Sequence, residues 1–437
     1  MMQLLLNTFN PWWTSGQVPA ELVGKPRTIF QELKSSLNLR QITILTGLRR
    51  VGKTTLLFQL IDALLKEGVS PYQILYFSFD ENQYALNEIL EFYQHHVLKK
   101  ELREVDRLFI FLDEIQKLDQ WPEKLKIYYD LYPNVKFILS GSARILLFRG
   151  SRESLAGRFF EYPIQPLDFY EFLKFEGKEI DFSREEIFKT AIITEFNQFL
   201  KTGGFIEAIV LNDLQRMQYF KQTILERVVF KDIPENFSVK KPALLLQLLK
   251  ITAYHPGLYL DYKNIANDLK MDQRTIADYF SLLDYSLLIQ KVFNFSHNKL
   301  TSEKKMKRVY LSNPAFSQAL NPEIAFAVLI EQFWINHLKS TFFYRSPQKD
   351  EVDIILERER AVLPIEIKIR ENISIREASS LFKFMNRFDE RRGLMITLDN
   401  DGVFERDQRQ VQLIPFWKYK TILQYINARL LNPANKK

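Results

Sequence analysis

The sequence predicts an α/β fold built around a parallel sheet. Between positions 41 and 166, short β-rich runs alternate with stretches whose apolar residues recur at helical spacing. Such alternation is typical of parallel strands joined by crossover helices. A glycine-containing turn follows the first strand and precedes the first helix, which Gly68 ends. We therefore expect a phosphate-binding α/β domain within a longer chain.

Length and composition limit the class of protein and the number of domains that the rest of the chain can form. The chain has 437 residues, 46% hydrophobic and 26% charged, with a formal net charge of +7. This composition excludes a disordered protein, and the length favours about two to four domains. The apolar runs are shorter than the roughly 20 residues of a membrane span, and no secretory leader is recognisable, so we expect a cytoplasmic protein without a membrane partner. The lack of cysteine excludes disulfides and thiolate metal sites.

The turn at 47–54 carries a complete phosphate-binding motif, GLRRVGKT. Its two glycines allow backbone N–H groups to curl round the phosphates of ATP, and Lys53 supplies positive charge to the β- and γ-phosphates. The hydroxyl of Thr54 is a predicted ligand of Mg²⁺. The predicted nucleotide-binding set is Gly47, Arg49, Arg50, Val51, Gly52, Lys53, Thr54 and Thr55.

A second apolar strand, at 108–112, ends in two carboxylates, Asp113 and Glu114. Buried strands seldom end in adjacent acids for packing reasons alone. We expect Asp113 to hold Mg²⁺ through water and Glu114 to orient and polarise the water that attacks the γ-phosphate. The run ILYFSF lies between the two motifs in the chain and predicts an extra strand between the two motif-bearing strands.

A serine and an arginine are further candidates for the catalytic set. After the run VKFIL, Ser140 or Ser142 is a candidate to sense the γ-phosphate or to place the attacking water, the alternative being ordinary turn residues. Arg158 is a candidate arginine finger or sensor, acting in cis or in trans, with a surface arginine as the alternative. A finger in trans would require a homo-oligomer.

These motifs together resemble a known family. The segments GLRRVGKTTLL, FLDEIQKLDQWPEKLK, ILSGSARIL, LAGRFFEYPIQPLDFYEFL and GGFIEAI are similar to the ATPase module of archaeal and bacterial AAA-type proteins, grouped with STAND-like NTPases, whose C-terminal domain is nuclease-like. The likeness spans nearly the whole chain and is strongest at 42–172 and 331–370. It implies an ATPase core followed by a winged helix and a nuclease-like domain.

The C-terminal part carries two strand patterns, at 350–356 and 362–369, joined by a short turn. If the turn centres on Glu359 and Arg360, Asp353 pairs with Glu366 and the two carboxylates converge. Alternation places Lys368 on the same strand face as Glu366.

This pattern is similar to the D…E-x-K core of restriction-endonuclease-like enzymes. The resemblance makes Glu331, on the preceding helix, a third acidic residue of the site. Glu331, Asp353 and Glu366 are then candidate ligands of Mg²⁺ or Mn²⁺, and Lys368 is a candidate catalytic residue. Val352 stands where the family pattern has proline. The alternative is a hairpin with solvated charges, or a degenerate nuclease kept for binding.

Between 231 and 310 the chain is rich in lysine and arginine, which favours a polyanion partner, DNA or also RNA. Two short helix patterns followed by a basic stretch predict a helix-turn-helix with a β-wing. The predicted nucleic-acid contacts are Gln273, Arg274 and Thr275 on the recognition helix and Lys304, Lys305, Lys307 and Arg308 on the wing. A lid over the nucleotide or a partner-docking surface is the alternative.

The predicted organisation has five parts: an N-terminal linker at 1–26, the AAA-type core at 27–166, a helical lid at 167–230, the winged helix at 231–310 and the nuclease-like domain at 311–437. The predicted function is an ATP-hydrolysing switch that regulates a metal-dependent nuclease-like domain acting on nucleic acid. The alternative is a nucleotide-dependent DNA-binding or signalling regulator whose nuclease-like domain binds but does not cleave.

Overall fold

The chain forms two compact units in the computed structural model. The residues that the structure describes are 2–80, 84–142, 155–296, 306–359 and 361–431. Unit 1 comprises Met1–Glu176, Phe205–Glu207 and Tyr285–Leu287, and unit 2 comprises Gly177–Gly204, Ala208–Asp284 and Leu288–Lys437. Apart from the N-terminal linker, which is discussed below, the finer five-part division stays a prediction.

Unit 1 is built on a parallel sheet that has five strands in the described part of the chain. The strands are β1 (Ile42–Gly47), β2 (Ile74–Ser78), β3 (Leu108–Asp113), β4 (Val135–Ser142) and β5 (Phe159–Pro163). Their order is β2-β3-β4-β1-β5, and all neighbours are parallel. The strand between the two motif-bearing strands, β1 and β3, is therefore β4. The run ILYFSF forms β2, at the edge of the sheet.

The helices of unit 1 surround this sheet. They are α1 (Met2–Phe9), α2 (Trp12–Ser15), α3 (Ala20–Val23), α4 (Phe30–Ser36), α5 (Lys53–Lys66), α6 (Leu86–Phe92), α7 (Trp121–Leu131) and α8 (Phe169–Glu176). Helix α5 buries Leu57, Leu60, Ile61 and Leu64, which recur at helical spacing. This apolar stripe fixes α5 against the sheet directly after the phosphate motif.

The N-terminal residues predicted as a linker are instead packed into unit 1. The amide of buried Asn10 donates to the carbonyl of Tyr76 at 2.9 Å, and its oxygen accepts from the N–H of Tyr76 at 2.6 Å. The indoles of Trp12 and Trp13 both donate to the carbonyl of Ile74, at 3.2 and 2.9 Å. These contacts satisfy the free edge of β2, so the linker prediction was wrong.

Unit 2 combines helices with a mixed sheet. Its helices are α9 (Lys189–Thr202), α10 (Asp213–Gln218), α11 (Ile233–Asn236), α12 (Pro242–Tyr254), α13 (Tyr262–Leu269), α14 (Gln273–Tyr285), α15 (Pro314–Leu320), α16 (Phe326–His337), α17 (Ser379–Arg387) and α18 (Tyr419–Leu431), with π-helical turns at Tyr219–Glu226 and Val228–Asp232. Within the described ranges, neither unit holds a helix with the length and apolar character needed to span a bilayer.

The sheet of unit 2 has nine strands in the described residues. They are β6 (Leu258–Tyr259), β7 (Ile289–Asn294), β8 (Lys307–Leu311), β9 (Phe342–Arg345), β10 (Glu351–Arg358), β11 (Ala361–Lys368), β12 (Arg392–Thr397), β13 (Gly402–Arg406) and β14 (Arg409–Pro415). Their order is β13-β14-β12-β11-β10-β9-β7-β8-β6. A parallel pairing of β7 with β9 joins the β6–β8 strands to the C-terminal strands in one sheet.

The β10–β11 hairpin has the register that its predicted turn requires. Ile354 lies opposite Ile365, and Leu356 lies opposite Leu363. One step further along this register, Asp353 reaches the level of Glu366, and the backbone N–H of Ile367 donates to the Asp353 carboxylate at 2.9 Å. The symmetrical turn thus brings the two acids to the same end of the hairpin.

Candidate functional site

The phosphate motif forms a tight turn between β1 and α5. A Cβ at Gly47 would lie 2.3 Å from the carbonyl oxygen of Ile164, so only glycine fits there. Gly52 has φ 90°, in the region that favours glycine. The ammonium of Lys53 donates to the carbonyls of Gly47 and Leu48 at 3.1 and 2.8 Å. The loop therefore holds Lys53 at its centre, where phosphate oxygens would compete for the same donors.

The Asp113 carboxylate lies at the end of β3, beside the start of α5. One oxygen accepts from the hydroxyls of Thr54 at 2.7 Å and Tyr76 at 3.0 Å. The other accepts from the Ser140 hydroxyl and, at 3.0 Å, from the backbone N–H of Glu114. Oxygen ligands suit Mg²⁺, which keeps several waters and binds through few protein groups. Thr54 and Asp113 therefore fit the ion that accompanies a nucleotide.

Glu114 follows Asp113 and turns away from the strand, with φ 52°. Burial raises the pKa of the Glu114 carboxyl, the charge of Lys53 opposes that rise, and Asp113 adds to it. The amide of Gln116 donates to one Glu114 oxygen. A carboxylate with a raised pKa accepts a proton more readily than an exposed one. Glu114 can therefore act on a water molecule in this position.

Sequence reasoning missed a buried ion pair behind the phosphate turn. Arg27 and Glu171 meet at 2.5 Å, with side chains only 7% and 5% exposed. The same guanidinium donates to the carbonyls of Val51 at 3.2 Å and Gln165 at 2.7 Å. Arg27 thereby ties the turn to the segment that follows β5. The two charges stand 144 positions apart, so no local signal in the sequence pairs them.

A second missed residue, Glu207, contacts the phosphate turn within unit 1. Both of its carboxylate oxygens accept from Arg50, at 2.7 and 2.8 Å. Arg50 has φ 66°, and the neighbouring Ile206 side chain lies 3.5 Å from where a Cβ on Gly52 would be. Ile206 and Glu207 therefore lie against the phosphate turn, and the presence of GGFIEAI among the quoted motifs was the available signal.

The predicted carboxylates of unit 2 each have a partner within the protein. Lys368 lies 2.5 Å from Glu366, and the Tyr310 hydroxyl donates to Glu331 at 2.9 Å. Burial raises the pKa of Glu366 to about 8 and that of Glu331 to about 7, and the charge of Asp353 adds to both. One oxygen of Glu366 is buried without a hydrogen-bond partner among the described residues.

Arg308, from β8, lies among these carboxylates. Its guanidinium forms an ion pair with Glu351 and lies 3.9 Å from Asp353. The rings of Tyr259 and Phe343 lie 5.3 and 5.0 Å from it. The side chain is only 13% exposed. The carboxylate cluster, defined here as Glu331, Glu351, Asp353 and Glu366, therefore has a buried internal cation.

This arrangement does not fit a resident metal ion. Among the residues that the structure describes, no group of three or more His, Asp or Glu side chains is arranged to hold one. Arg308 and Lys368 hold the charges that a divalent cation would neutralise. The predicted metal role of Glu331, Asp353 and Glu366 has no support from this arrangement and stays a prediction.

Comparison with known proteins agrees with the geometry of unit 1. Residues 39–173 match a protein-family model described as an AAA domain. These residues form an AAA-type P-loop ATPase domain. Residues 193–324 and 324–419 match two further models, each described as a domain of unknown function (DUF8612 and DUF4143).

Relatives extend over both units. The uncharacterized protein MJ1544 of Methanocaldococcus jannaschii is 25% identical over 422 residues, covering 91% of this chain and 92% of its own length. MJ1637 of the same organism is 27% identical over 396 residues, covering 82% of this chain and 80% of its own. The Walker-type ATPase PABY2304 of Pyrococcus abyssi is a similar solved structure, with 15% identity, a TM-score of 0.43, and coverage of 70% of this chain and 97% of that one.

Within the AAA-type domain, Arg158 does not lie at the nucleotide site. Its carbonyl accepts from the N–H of Ile42, at the start of β1, and its guanidinium donates to Asp130 at 3.0 and 3.1 Å. The phosphate turn follows the other end of β1, about 16 Å away at the usual rise per residue. A finger acting in cis was therefore a wrong prediction, and a finger in trans stays a prediction.

Ser140 lies within β4, fully buried, and not in a turn. Its hydroxyl donates to Asp113, so Ser140 contacts the residue that is predicted to bind Mg²⁺. The prediction of a role at the nucleotide thus has a geometric basis, although the γ-phosphate contact itself stays a prediction.

The predicted nucleic-acid contacts divide into three groups. Gln273 and Arg274 are exposed at the first turn of α14, where Asp272 accepts from the N–H groups of Arg274 and Thr275 at 2.8 and 3.2 Å. Lys304 and Lys305 lie outside the described residues. Lys307 lies 4.8 Å from the ring of Phe293.

The structure contradicts the prediction that Arg308 contacts phosphates of a nucleic acid. Strand alternation turns Arg308 and Tyr310 to the same face of β8, toward the carboxylate cluster. Its buried ion pairs with Glu351 and Asp353 use the charge that a phosphate would need.

Proposed function

We propose that the protein is an ATP-hydrolysing switch that acts on nucleic acid through a winged helix and a nuclease-like C-terminal domain. The observation that carries the ATPase part is the 2.7 Å contact between the Thr54 hydroxyl and Asp113 at the start of α5. This contact supports the proposal, because the turn at 47–54, the Thr54 hydroxyl with the Asp113 carboxylate, and Glu114 all lie at one end of one sheet.

The reaction that these groups support is transfer of the γ-phosphoryl group of ATP to water. The backbone N–H groups of 47–54 and the Lys53 ammonium bind the phosphates. Thr54 and Asp113 would hold Mg²⁺. The bound ion would neutralise part of the negative charge of the phosphates. Glu114 orients the attacking water and takes its proton, and the Gln116 amide fixes the Glu114 carboxylate for that task. ADP and inorganic phosphate are the products.

Two substitutions test the ATPase assignment. We expect Lys53→Ala to lose binding of a fluorescent ATP analogue, because the ammonium at the centre of the loop is removed. We expect Glu114→Gln to bind ATP but to hydrolyse it at least about a hundredfold more slowly, since the base is gone. Lys66→Ala, on an exposed side chain at the end of the same helix, is the matched control. Normal turnover by Lys53→Ala would defeat the assignment.

The winged-helix proposal rests on the elements between 242 and 311. Helix α12, strand β6, helices α13 and α14 and the antiparallel strands β7 and β8 follow one another, and β6 pairs with β8. This is the element order of a winged helix, and it leaves the first turn of α14 exposed for a major groove. The polyanion partner is DNA, with RNA as a further substrate class to test.

A titration with fluorescent duplex DNA at several salt concentrations tests this part. We expect wild-type affinity to fall steeply with salt, because phosphate contacts release counterions. Gln273→Ala/Arg274→Ala should weaken binding at every salt concentration. Arg358→Ala, which removes an exposed arginine at the far end of β10, is the control. Binding that is insensitive to salt and to the α14 variant would remove nucleic acid from the proposal.

The β10–β11 register supports the nuclease-like part, because Asp353, Glu366 and Lys368 lie together near Glu331. A second function, binding without cleavage, is favoured by one specific observation, the burial of Arg308 among those acids. A nuclease assay on DNA and RNA, with and without ATP and Mn²⁺, separates the two. Cleavage must disappear in Asp353→Ala and Lys368→Ala, and its survival there would exclude this site.

A further inference from the structure

A cavity lies at one end of the unit 2 sheet, where three neighbouring parallel strands end. Lys368 of β11, Thr397 of β12 and Pro415 of β14 stand at the same level of the register. The segments that follow these strands, one face of α9 and the first residue of α16 border a cavity of about 600 Å³. Ligands of α/β proteins commonly bind beyond the carboxyl ends of parallel strands, and this volume is within the range of small-molecule sites.

Three aromatic side chains line the cavity. Phe416 and Trp417 are each 2% exposed, whereas Phe326, at the start of α16, is 36% exposed. The Phe326 ring meets Phe416 edge to face, with 5.6 Å between the ring centroids. A partly exposed ring at a cavity can pack against a planar or cationic ligand.

The charged residues of the cavity are mainly acidic. Both oxygens of Asp399 accept from the Lys189 ammonium at 2.6 Å, and one accepts from the indole N–H of Trp417 at 3.1 Å. Glu371 forms no ion pair among the residues that the structure describes. Lys189, Glu371 and Asp399 together carry a formal charge of −1. The cavity therefore favours a cation and disfavours a phosphate group.

The neighbouring cations in the chain are paired with other acids. Arg370 pairs with Glu377 at 2.9 Å, and Lys418 pairs with Asp401. Neither of these pairs includes Glu371. A cationic ligand would therefore meet a carboxylate that no described side chain neutralises.

A polar atom of the cavity residues also lacks a partner. The side-chain oxygen of Asn400 is buried and has no hydrogen-bond donor within the described ranges. The backbone carbonyl of Asn400 accepts from the Thr397 hydroxyl at 2.6 Å, which closes the turn after β12 and fixes this residue at the cavity. Buried acceptors in proteins normally have a donor. The cavity residues therefore favour a ligand with several N–H groups.

Unit 2 binds two of its own guanidinium groups with a ring and a carboxylate. Arg345 lies 4.6 Å from the ring centroid of Tyr259 and 4.0 Å from Glu351. Arg308 lies 5.3 Å from the same ring and pairs with the same carboxylate. A guanidinium is planar, presents five N–H donors and stacks on rings, whereas an ammonium is a compact and strongly hydrated charge. The same combination of groups at the cavity favours a guanidinium.

We propose that this cavity binds the guanidinium group of an arginine. Glu371 pairs with the group, Phe326 packs against its plane, and Asn400 accepts one of its N–H groups. The arginine is either the free amino acid or a side chain of a peptide, since both carry the same group. The cavity shares no residue with the phosphate turn or the carboxylate cluster, so the proposal does not depend on the proposed function.

Saturation-transfer NMR on the full chain tests the proposal with three small ligands. N-acetyl-arginine amide should bind to wild type. The corresponding citrulline amide has nearly the same shape but a neutral urea group, and it should bind at least about tenfold more weakly, because hydrogen bonds to a charged group are lost. The lysine amide keeps the charge without the planar donors and should also bind more weakly than the arginine amide.

Two variants show which residues bind the ligand. Glu371→Gln should weaken binding of the arginine amide about tenfold, because the pairing charge is removed. Phe326→Leu keeps an apolar side chain without the ring and should weaken binding about threefold. Glu357→Gln makes the first change on an exposed residue that pairs with Val362, at the opposite end of β11, and should match wild type. Circular dichroism and the rate of ATP hydrolysis should be unchanged in all three variants.

Equal binding of the arginine and citrulline amides, or no binding of either to wild type, would overturn the proposal without any variant. Equal binding of the lysine amide would overturn the assignment to a guanidinium. An arginine affinity that neither Glu371→Gln nor Phe326→Leu lowers would place the ligand elsewhere and would also overturn it. Comparison of L-arginine with the amide identifies the source: tighter binding of the amide supports a peptide, and tighter binding of L-arginine supports the free amino acid.

Discussion

The two aspartates at the centre of the two sites differ in what surrounds them. In unit 1, Asp113 accepts hydrogen bonds from three hydroxyls and one backbone N–H. In unit 2, Asp353 accepts one backbone N–H and faces the Arg308 guanidinium. Hydroxyls carry no net charge, so they orient Asp113 and leave its negative charge free to attract a cation. A guanidinium cancels that charge.

The comparison teaches that acidic residues in the right pattern do not by themselves make a cation site. The site of Asp113 and the site of Asp353 were both predicted from acidic residues on a strand. In both sites these residues lie where the strand patterns predict them. The charge of the nearest neighbours decides whether a divalent ion is attracted. Thr54, Tyr76 and Ser140 favour it at one site, while Arg308 opposes it at the other.

The largest expected effect tests the difference between Asp113 and Asp353 directly. We expect Asp113→Asn to lower the rate of magnesium-dependent ATP hydrolysis by at least about a hundredfold, because the ion loses its only charged protein ligand among the described residues. Asp353→Asn, the same change in unit 2, should leave that rate within about twofold. The measurement is phosphate release at saturating ATP and Mg²⁺. A comparable loss in both variants would show that the two sites are not independent.

A smaller effect concerns Arg27, the buried arginine that pairs with Glu171 in unit 1. We expect Arg27→Met to lower the free energy of unfolding by about 3–5 kcal/mol, because Glu171 is left as an uncompensated buried charge. Urea unfolding measures it, using the transition that ATP shifts to identify unit 1.

The exposed pair of Lys34 and Glu67 provides the matched control for this ion pair. Lys34→Met should change the free energy of unfolding by less than about 1 kcal/mol. If Arg27→Met were as mild as its control, Arg27 could not be the support for the phosphate turn that its contacts with Val51 and Gln165 indicate.

The smallest expected effect tests how much each hydroxyl that donates to Asp113 contributes to magnesium binding. Tyr76→Phe removes one of the four donors to Asp113, a neutral hydrogen bond worth about 1 kcal/mol, so the Mg²⁺ concentration for half-maximal ATPase rate should rise about fivefold. Tyr72→Phe, on a side chain that is half exposed, should leave it unchanged. An unaltered magnesium requirement in Tyr76→Phe would mean that Thr54 and Ser140 suffice to hold the carboxylate.

The parts of the site that could be predicted are those encoded within a few residues of each other. The phosphate turn, the acids after β3 and the β10–β11 register all follow from contiguous patterns, including the symmetry of a turn centred on Glu359 and Arg360. The fold class of unit 1 follows in the same way from its alternating strands and helices.

The missed residues depend on contacts that the order of strands creates. Tyr76 reaches Asp113 because β2 lies beside β3, and ILYFSF by itself gives no sign of that neighbour. Arg27 with Glu171 and Arg50 with Glu207 join residues more than 140 positions apart. Arg308 was assigned to phosphate because a basic stretch suggests a solvated surface, whereas alternation in β8 turned this one side chain inward.

The shared sheet of unit 2 has a practical consequence for cutting the chain. The predicted boundary between positions 310 and 311 falls inside β8, which ends at Leu311, and β7 on its other side is hydrogen-bonded to β9. A fragment that starts at 311 would expose the unpaired edge of β9, and the companion fragment would expose β7. Bare strand edges of this kind pair with other chains, so we expect either fragment to aggregate during expression.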